Sequence, residues 1–335
     1  MKLIVRKLMY IAIAMLFALT CSFVSAAPLP VEAFGKLPEA RQVTLSPDGN
    51  KFAFLRNIKG SIYIGVTDLL KNKTKYIIKT DNEKFKIARY MWANNDTILI
   101  SANYPVRQRT FKYSESRLLK INVNDSNAVA TSVIKYHKKD HVSQFQTNII
   151  DMLSDDPDHI LMALDLKTPN QPDVYKINLH SNKKRSLVYR GKSYINDWMT
   201  DRQHRVRLGF GRDETKIFFR LLDLKSEKWR NIWEYEIFDA PDITPLGFGL
   251  DPNQLYIRAL HKARYAIFKV DVSKANLPRE LVFNDPNYDV EGALIYSKKT
   301  GDVIGVYHGE ADNAEVFFDP AYSAFQTALN KALPN

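Results

Sequence analysis

Apolar residues in this chain fall into short runs separated by polar turns, and the runs recur. β-type runs begin at Phe52, Ile98, Ile160, Val206, Leu255 and Val303. Their spacings are 46, 62, 46, 49 and 48 residues, five similar intervals of which one carries an insertion. Polar turns precede them. Ser46-Pro47-Asp48-Gly49 presets φ with its proline and supplies a glycine for positive φ. Asn94-Asn95-Asp96, Asp155-Asp156-Pro157-Asp158, Asp251-Pro252-Asn253 and Thr300-Gly301-Asp302 stand at the same place in later repeats. A second run then alternates apolar with polar, the pattern of a half-buried strand. These second runs are Ile62–Val66, Leu119–Val123, Tyr175–Leu179, Trp233–Ile237 and Phe268–Val272. Most repeats add a third run, such as Tyr76-Ile77-Ile78 or Ser186–Tyr189.

A unit of 46 to 49 residues with three or four strands has the size of a β-propeller blade. One blade leaves both faces bare, so blades stack around an axis. The spacing predicts an all-β chain: a propeller of about six blades, or a seven-bladed ring lacking one. That replaces the two globular domains that 335 residues suggest by length alone. A flat sandwich accounts for strands but not for even spacing. One segment departs from the β pattern. Ala321, Ala324, Phe325, Ala328, Leu329 and Ala332 follow helical spacing, with Asp319 as N-cap, Pro320 in the first turn and Pro334 as stop. This predicts an amphipathic helix at about 320–333, whose apolar stripe needs a partner surface.

Composition sharpens the picture. The chain is 45% hydrophobic, 12% aromatic and 25% charged, which describes a globular chain and excludes disorder. Residues 1–26 read as a secretory signal peptide: Lys2, Arg6 and Lys7, then an uncharged apolar stretch from Leu8 to Leu19, then Val24-Ser25-Ala26. About 12 apolar residues are too few for a transmembrane anchor. A lipoprotein would use Cys21, but Ala18-Leu19-Thr20 fits a lipobox poorly. The expectation is an exported protein, periplasmic or secreted, with residues 27–335 as the propeller. Cys21 is the single cysteine, so there is no disulfide framework and no cysteine metal site. Of 48 basic and 37 acidic residues, the leader removes three basic ones, so the net charge falls from +11 to +8. The longest basic cluster, Lys183-Lys184-Arg185, is short and reads as a solvated turn, not a nucleic-acid face.

Candidate chemistry is sparse. A serine-hydrolase elbow needs Gly-x-Ser-x-Gly, and the only glycine pairs four apart bracket Val303 and Tyr307. Gly60 to Thr67 has P-loop glycines, but Val66 stands where the lysine belongs. His137-Lys138-Lys139-Asp140-His141 lacks the glutamate of a zinc helix, and Asp155, Asp156 and Asp158 lack the rest of a calcium loop. No catalytic set, metal site or cofactor site is legible, although separate blades can assemble a site that one repeat does not show. The insertion Asn103–Ser116 carries Arg107, Arg109, Tyr104, Phe111 and Tyr113. Arg107, Arg109, Phe111 and Tyr113 suit a peptide carboxylate or a partner protein.

The ordered set of repeat texts is more specific than their spacing. Phe34-Gly35-Lys36-Leu37-Pro38 precedes Val43-Thr44-Leu45-Ser46-Pro47-Asp48-Gly49-Asn50-Lys51-Phe52-Ala53-Phe54. Then come Trp92 with Asn94-Asn95-Asp96, Leu153–Leu161, Val174–Leu179, Trp198 with Asp201 and Val206-Arg207, and Asp289-Val290-Glu291-Gly292. Together these resemble the N-terminal propeller of exported bacterial peptidases of the prolyl oligopeptidase family, of the dipeptidyl aminopeptidase and acylaminoacyl peptidase type. The resemblance implies a ring that restricts access to short peptides. That family pairs the ring with a C-terminal α/β-hydrolase domain carrying Ser, Asp and His, and no such domain is legible here. Two expectations follow, beside a third reading of a propeller enzyme with a metal in its funnel. The first is a non-catalytic gating propeller, truncated or split from its hydrolase domain. The second is a stand-alone propeller that binds peptides or proteins.

Overall fold

The computed structural model describes residues 40–125, 127, 129–239, 243–308 and 315–333. The proposed signal peptide, Cys21, Phe34–Pro38 and Pro334 lie outside these residues. Six antiparallel sheets follow one another along the chain, each built from consecutive strands. Blade one is β1 (Ala40–Leu45), β2 (Lys51–Ile58), β3 (Ser61–Asp68) and β4 (Lys73–Thr80). Blade two is β5 (Lys86–Trp92), β6 (Thr97–Gln108), β7 (Phe111–Asn122) and β8 (Thr131–Ser132), with β9 (Phe145–Gln146) pairing parallel to β7. Blade three is β10 (Ile149–Asp151), β11 (His159–Thr168), β12 (Gln171–Asn178) and β13 (Arg185–Tyr189). Blade four is β14 (Ile195–Thr200), β15 (Val206–Asp213), β16 (Lys216–Leu222) and β17 (Trp229–Glu236). Blade five is β18 (Thr244–Phe248), β19 (Gln254–His261), β20 (Arg264–Asp271) and β21 (Arg279–Phe283). Blade six is β22 (Leu294–Tyr296), β23 (Val303–Tyr307) and β24 (Glu315–Phe317), followed by helix α1 (Pro320–Ala332). The chain is therefore a six-bladed β-propeller.

The six runs that set the period are the second strands of the six blades. In blades two to five each is buried between the blades on either side, as in β6, where Thr97 to Ala102 are all buried. Blade four corrects one assignment. Of the run Trp233–Ile237, residues Trp233 to Glu236 fall in β17, the fourth strand, and the third strand is β16, Lys-Ile-Phe-Phe-Arg-Leu-Leu. The fourth strand alternates because one of its faces is wet. In blade four the third strand sets Phe218 and Phe219 side by side and buries both, so it loses the alternation that β3, β12 and β20 keep.

Five apolar seams join consecutive blades. Ile64, Val66 and Leu55 of blade one pack with Ile98 and Ile100 of blade two. Leu99 meets Ile160 and Met162. Leu161 and Val174 meet Trp198 and Phe218. Leu208 and Leu221 meet Leu255 and Val270. Ile267 meets Leu294 and Val306. At about 25 cal/mol per Å2 of apolar surface, these seams supply the main drive for the ring.

The turns between first and second strands pin the same five junctions. The Asp48 N–H donates to Asn95 Oδ1 at 3.0 Å, and Asn94 Nδ2 donates to the Pro157 carbonyl at 2.9 Å. Asp151 meets His204 across blades three and four at 2.9 Å. Gln203 Nε2 donates to the Leu250 carbonyl at 2.9 Å, and the Leu250 N–H donates to Asp302 Oδ1 at 3.3 Å.

Among the described residues no apolar cluster joins blade six to blade one. Every residue of β1 is exposed, with Val43 at 61% and Leu45 at 58%. Blade one turns an aromatic group to that side: Phe54 lies 6.4 Å from Tyr76, and Tyr76 lies 5.3 Å from Tyr63. Helix α1 forms as expected. Asp319 accepts from the N–H groups of Ala321 and Tyr322 at 2.9 and 3.2 Å, with Pro320 in the first turn. Tyr322 stacks on Phe317 at 5.6 Å, yet no helix residue is buried. The stripe of Ala321, Ala324, Phe325, Ala328, Leu329 and Ala332 is exposed, and the helix is held to β24 by Tyr322, which lies outside it.

Candidate functional site

First strands divide their side chains between the axis and the seams, as β14 does with Trp198 in the seam and Asp197 at the funnel. Those of blades two to six converge on a funnel of about 540 Å3. Its walls are formed by β5 with Arg89 and Met91, β10, β14, β18 with Phe248, and Tyr296 of β22. Trp198 is held in the β14 wall. Its Nε1 donates to the Pro172 carbonyl at 2.7 Å, and its ring lies 5.1 Å from Tyr189 and 5.5 Å from Trp229. Gly209 opposite it in register leaves room for the ring, since a Cβ there would sit 2.7 Å from Trp198.

Both signs of charge reach the funnel. Arg89 is exposed and its Nε donates to Ser101 Oγ at 3.4 Å. Arg202 lies 4.5 Å over the Tyr296 ring and donates to the Gly301 carbonyl at 3.1 Å. Burial pushes the Tyr296 hydroxyl up to about 12. Asp197 accepts from Asn148 Nδ2 and from the Trp198 N–H, both at 2.8 Å, and burial holds its carboxyl above the usual range. Beneath the wall, Asp201 is fully buried. It accepts from Arg205 Nε at 2.9 Å and from Arg207 Nη1 at 3.3 Å, while Arg207 also donates to the carbonyls of Leu222 and Pro252. Burial pulls the Arg207 guanidinium down, and Asp201 opposes this. This pair ties blade four to blade five.

On the same rim stands a group that the sequence reading did not find. Ser154 Oγ lies 3.4 Å from His204 Nε2, and His204 Nδ1 lies 2.9 and 3.0 Å from the two oxygens of Asp151. All three residues line the funnel. Ser154 and His204 are 50 positions apart, in the first turns of adjacent blades. Their shared place in consecutive repeats is the sequence feature that brings them together. A hydroxyl, an imidazole and a carboxylate are therefore assembled in series, although no Gly-x-Ser-x-Gly turn presents them.

The residues singled out in the insertion lie elsewhere. β6 and β7 run on past the sheet as a two-stranded arm, pairing Arg107 with Lys112, Gln108 with Phe111 and Val106 with Tyr113. Arg109 sits in the tip turn at φ 53°, and Phe111 is 76% exposed. The arm is braced at its base, where Gln144 Nε2 donates to the Ser114 carbonyl at 2.9 Å and β9 pairs with β7. Arg107, Arg109, Phe111 and Tyr113 are thus grouped on the arm and are not among the funnel residues. His137 and His141 lie in the loop between blades two and three, where His141 Nδ1 lies 3.4 Å from Asp165. Asp155, Asp156 and Asp158 form the β10–β11 turn. Lys176 and then His159 hold the Asp156 carboxyl down at about 2. Among the described residues no group of three or more His, Cys, Asp or Glu suits a metal ion.

No family model matches the chain. No curated protein matches it either. Solved structures with a similar fold do exist. The β-propeller domain of the Trilobed protease from Pyrococcus furiosus, which has an open velcro topology, is 14% identical; the match covers 86% of this chain and 83% of that one, with a TM-score of 0.43. Pyrococcus horikoshii acylaminoacyl peptidase is 12% identical over 87% of this chain and 47% of that one, with a TM-score of 0.43. Porphyromonas gingivalis dipeptidyl peptidase 4 is 14% identical over 88% of this chain and 47% of that one, with a TM-score of 0.46. The chain spans about half the length of these two peptidases.

Proposed function

We propose that this propeller holds and gates short polypeptides and does not itself cut amide bonds. The observation that carries the reading is the funnel. Its volume, about 540 Å3, lies within the range of small-ligand sites, roughly 300–1,000 Å3. Arg89 and Arg202 suit a peptide carboxylate, Asp197 suits an amine, and Met91, Met199 and Phe248 suit apolar side chains between them. A narrow axial opening admits an extended chain and excludes a folded one. The surface for a protein partner on this reading is the β6–β7 arm, and a separately encoded hydrolase domain is one such partner. The compartment on this reading is periplasmic or extracellular.

The test is calorimetric titration of the full chain with a panel of four- to eight-residue peptides bearing free termini. Binding that weakens about tenfold in Arg89→Ala supports the reading. An absence of heat at millimolar peptide across the panel, from protein with an intact cooperative melt, overturns it.

A further inference from the structure

The Ser154–His204–Asp151 series carries an inference beyond peptide holding, and one that stands without it. We propose that Ser154 is a nucleophile that takes an acyl group from small activated carboxylic esters entering the funnel, with His204 as its general base and Asp151 as the positioning carboxylate.

Three observations support this. The atoms are in the required order: hydroxyl to one ring nitrogen, carboxylate to the other. Asp151 is itself fixed, because its Oδ1 also accepts from the Leu153 N–H at 2.9 Å and its side chain is only 11% exposed. A carboxylate at Nδ1 holds the proton there and leaves the Nε2 lone pair facing Ser154 Oγ. Finally, the backbone that presents the serine is unusual. Leu153 is buried in the blade three–four seam, yet it adopts φ 49°, a left-handed conformation that a bulky side chain rarely takes. The inter-blade pin needs only His204 and Asp151. Ser154 is exposed and contributes no seam packing.

One group competes. Ser154 Oγ also lies 3.3 Å from Asp155 Oδ1, and Asp155 Oδ2 lies 3.7 Å from His204 Nε2, so this exposed carboxylate competes for the hydroxyl and for the ring nitrogen. In the step proposed, a bond forms between Oγ and the acyl carbon. The hydroxyl proton passes to Nε2, the alkoxide leaves and that proton is delivered to it. Water then repeats the sequence and frees the acid. No oxidant or metal enters. Base assistance of this kind contributes about 10²–10⁴-fold. This is sufficient for activated esters and far short of what an amide requires.

The test uses the full chain and a fluorophosphonate probe, with which Oγ displaces fluoride at phosphorus. Intact mass and peptide mapping are expected to place one phosphonyl group on Ser154. Ser154→Ala should abolish labelling, and His204→Gln should slow it at least tenfold. Asp155→Ala frees the hydroxyl and leaves the His204–Asp151 pin in place, so labelling should quicken. Phosphonylation at another residue only, no labelling, or an equal rate in a folded His204→Gln protein overturns the proposal. If His204→Gln does not fold, the Asp155→Ala rate decides: an unchanged or slower rate overturns it. Failure here leaves the peptide titration untouched, because Arg89 takes no part in the series.

Discussion

The junction between blades four and five and the junction between blades six and one show opposite conditions. At the first, Leu208, Leu221, Leu255 and Val270 close an apolar seam, and Arg207 crosses it to the Pro252 carbonyl with Asp201 as counter-ion. At the second, β1 is exposed along its whole length, and α1 buries none of its residues. Both edges come from the same repeat. The difference shows that a blade's apolar faces are complementary only to a neighbour. Period-two patterning makes the strand, and burial depends on what stands opposite.

Four experiments break or sharpen that contrast. The largest effect is expected from Asp201→Ala, which strands Arg207 without its counter-ion in a buried site. Chemical denaturation should report a loss of about 3–5 kcal/mol. Leu255→Ala opens a cavity at the closed seam and should cost about 2–5 kcal/mol, whereas Val43→Ala at the open edge should stay within about 0.5 kcal/mol. Equal losses at the two sites would mean that the two junctions do not differ. Asp319→Ala removes the cap of α1 and should cost about 0.5–2 kcal/mol of helix stability, read as lost helical circular dichroism.

The smallest effect concerns pH. Asp156 is held down to about 2 by Lys176 and then His159, below its ordinary 3.8. A depressed carboxyl contributes its stability above the unfolded value and loses it as pH falls through the folded value. Melting temperature should therefore decline as pH drops from about 4 to about 2, and Asp156→Asn should flatten that limb. The pair is substantially solvated, with side-chain exposures of 37% and 35%, which keeps the effect modest.

The ring was legible in the sequence because its second strands carry the pattern. Ile160–Ala163 is apolar on consecutive positions since both faces meet a neighbouring blade, and Phe52–Leu55 since one face meets blade two and the other carries the Phe54 aromatic group. First strands were not legible as strands. Ile195-Asn196-Asp197-Trp198-Met199-Thr200 serves the axis as well as the seam, and that mixed duty removes its periodicity. In blade four the regular text of Trp233–Ile237 drew the assignment away from β16, whose two buried faces leave no alternation. The arm was visible as an insertion, but nothing in its residues told that it stands apart from the funnel. The Ser154–His204 approach was hidden for a geometric reason. It joins residues 50 positions apart that meet only once the blades are stacked.

The first and last sheets share no strand among the described residues, so parting them ruptures no backbone ladder. Over the described residues the stack of blades is mechanically a split washer. Load applied to the bore is relieved by spreading at the cut, with the five joined seams flexing elastically. Its aperture is consequently set by the bending stiffness of those five seams.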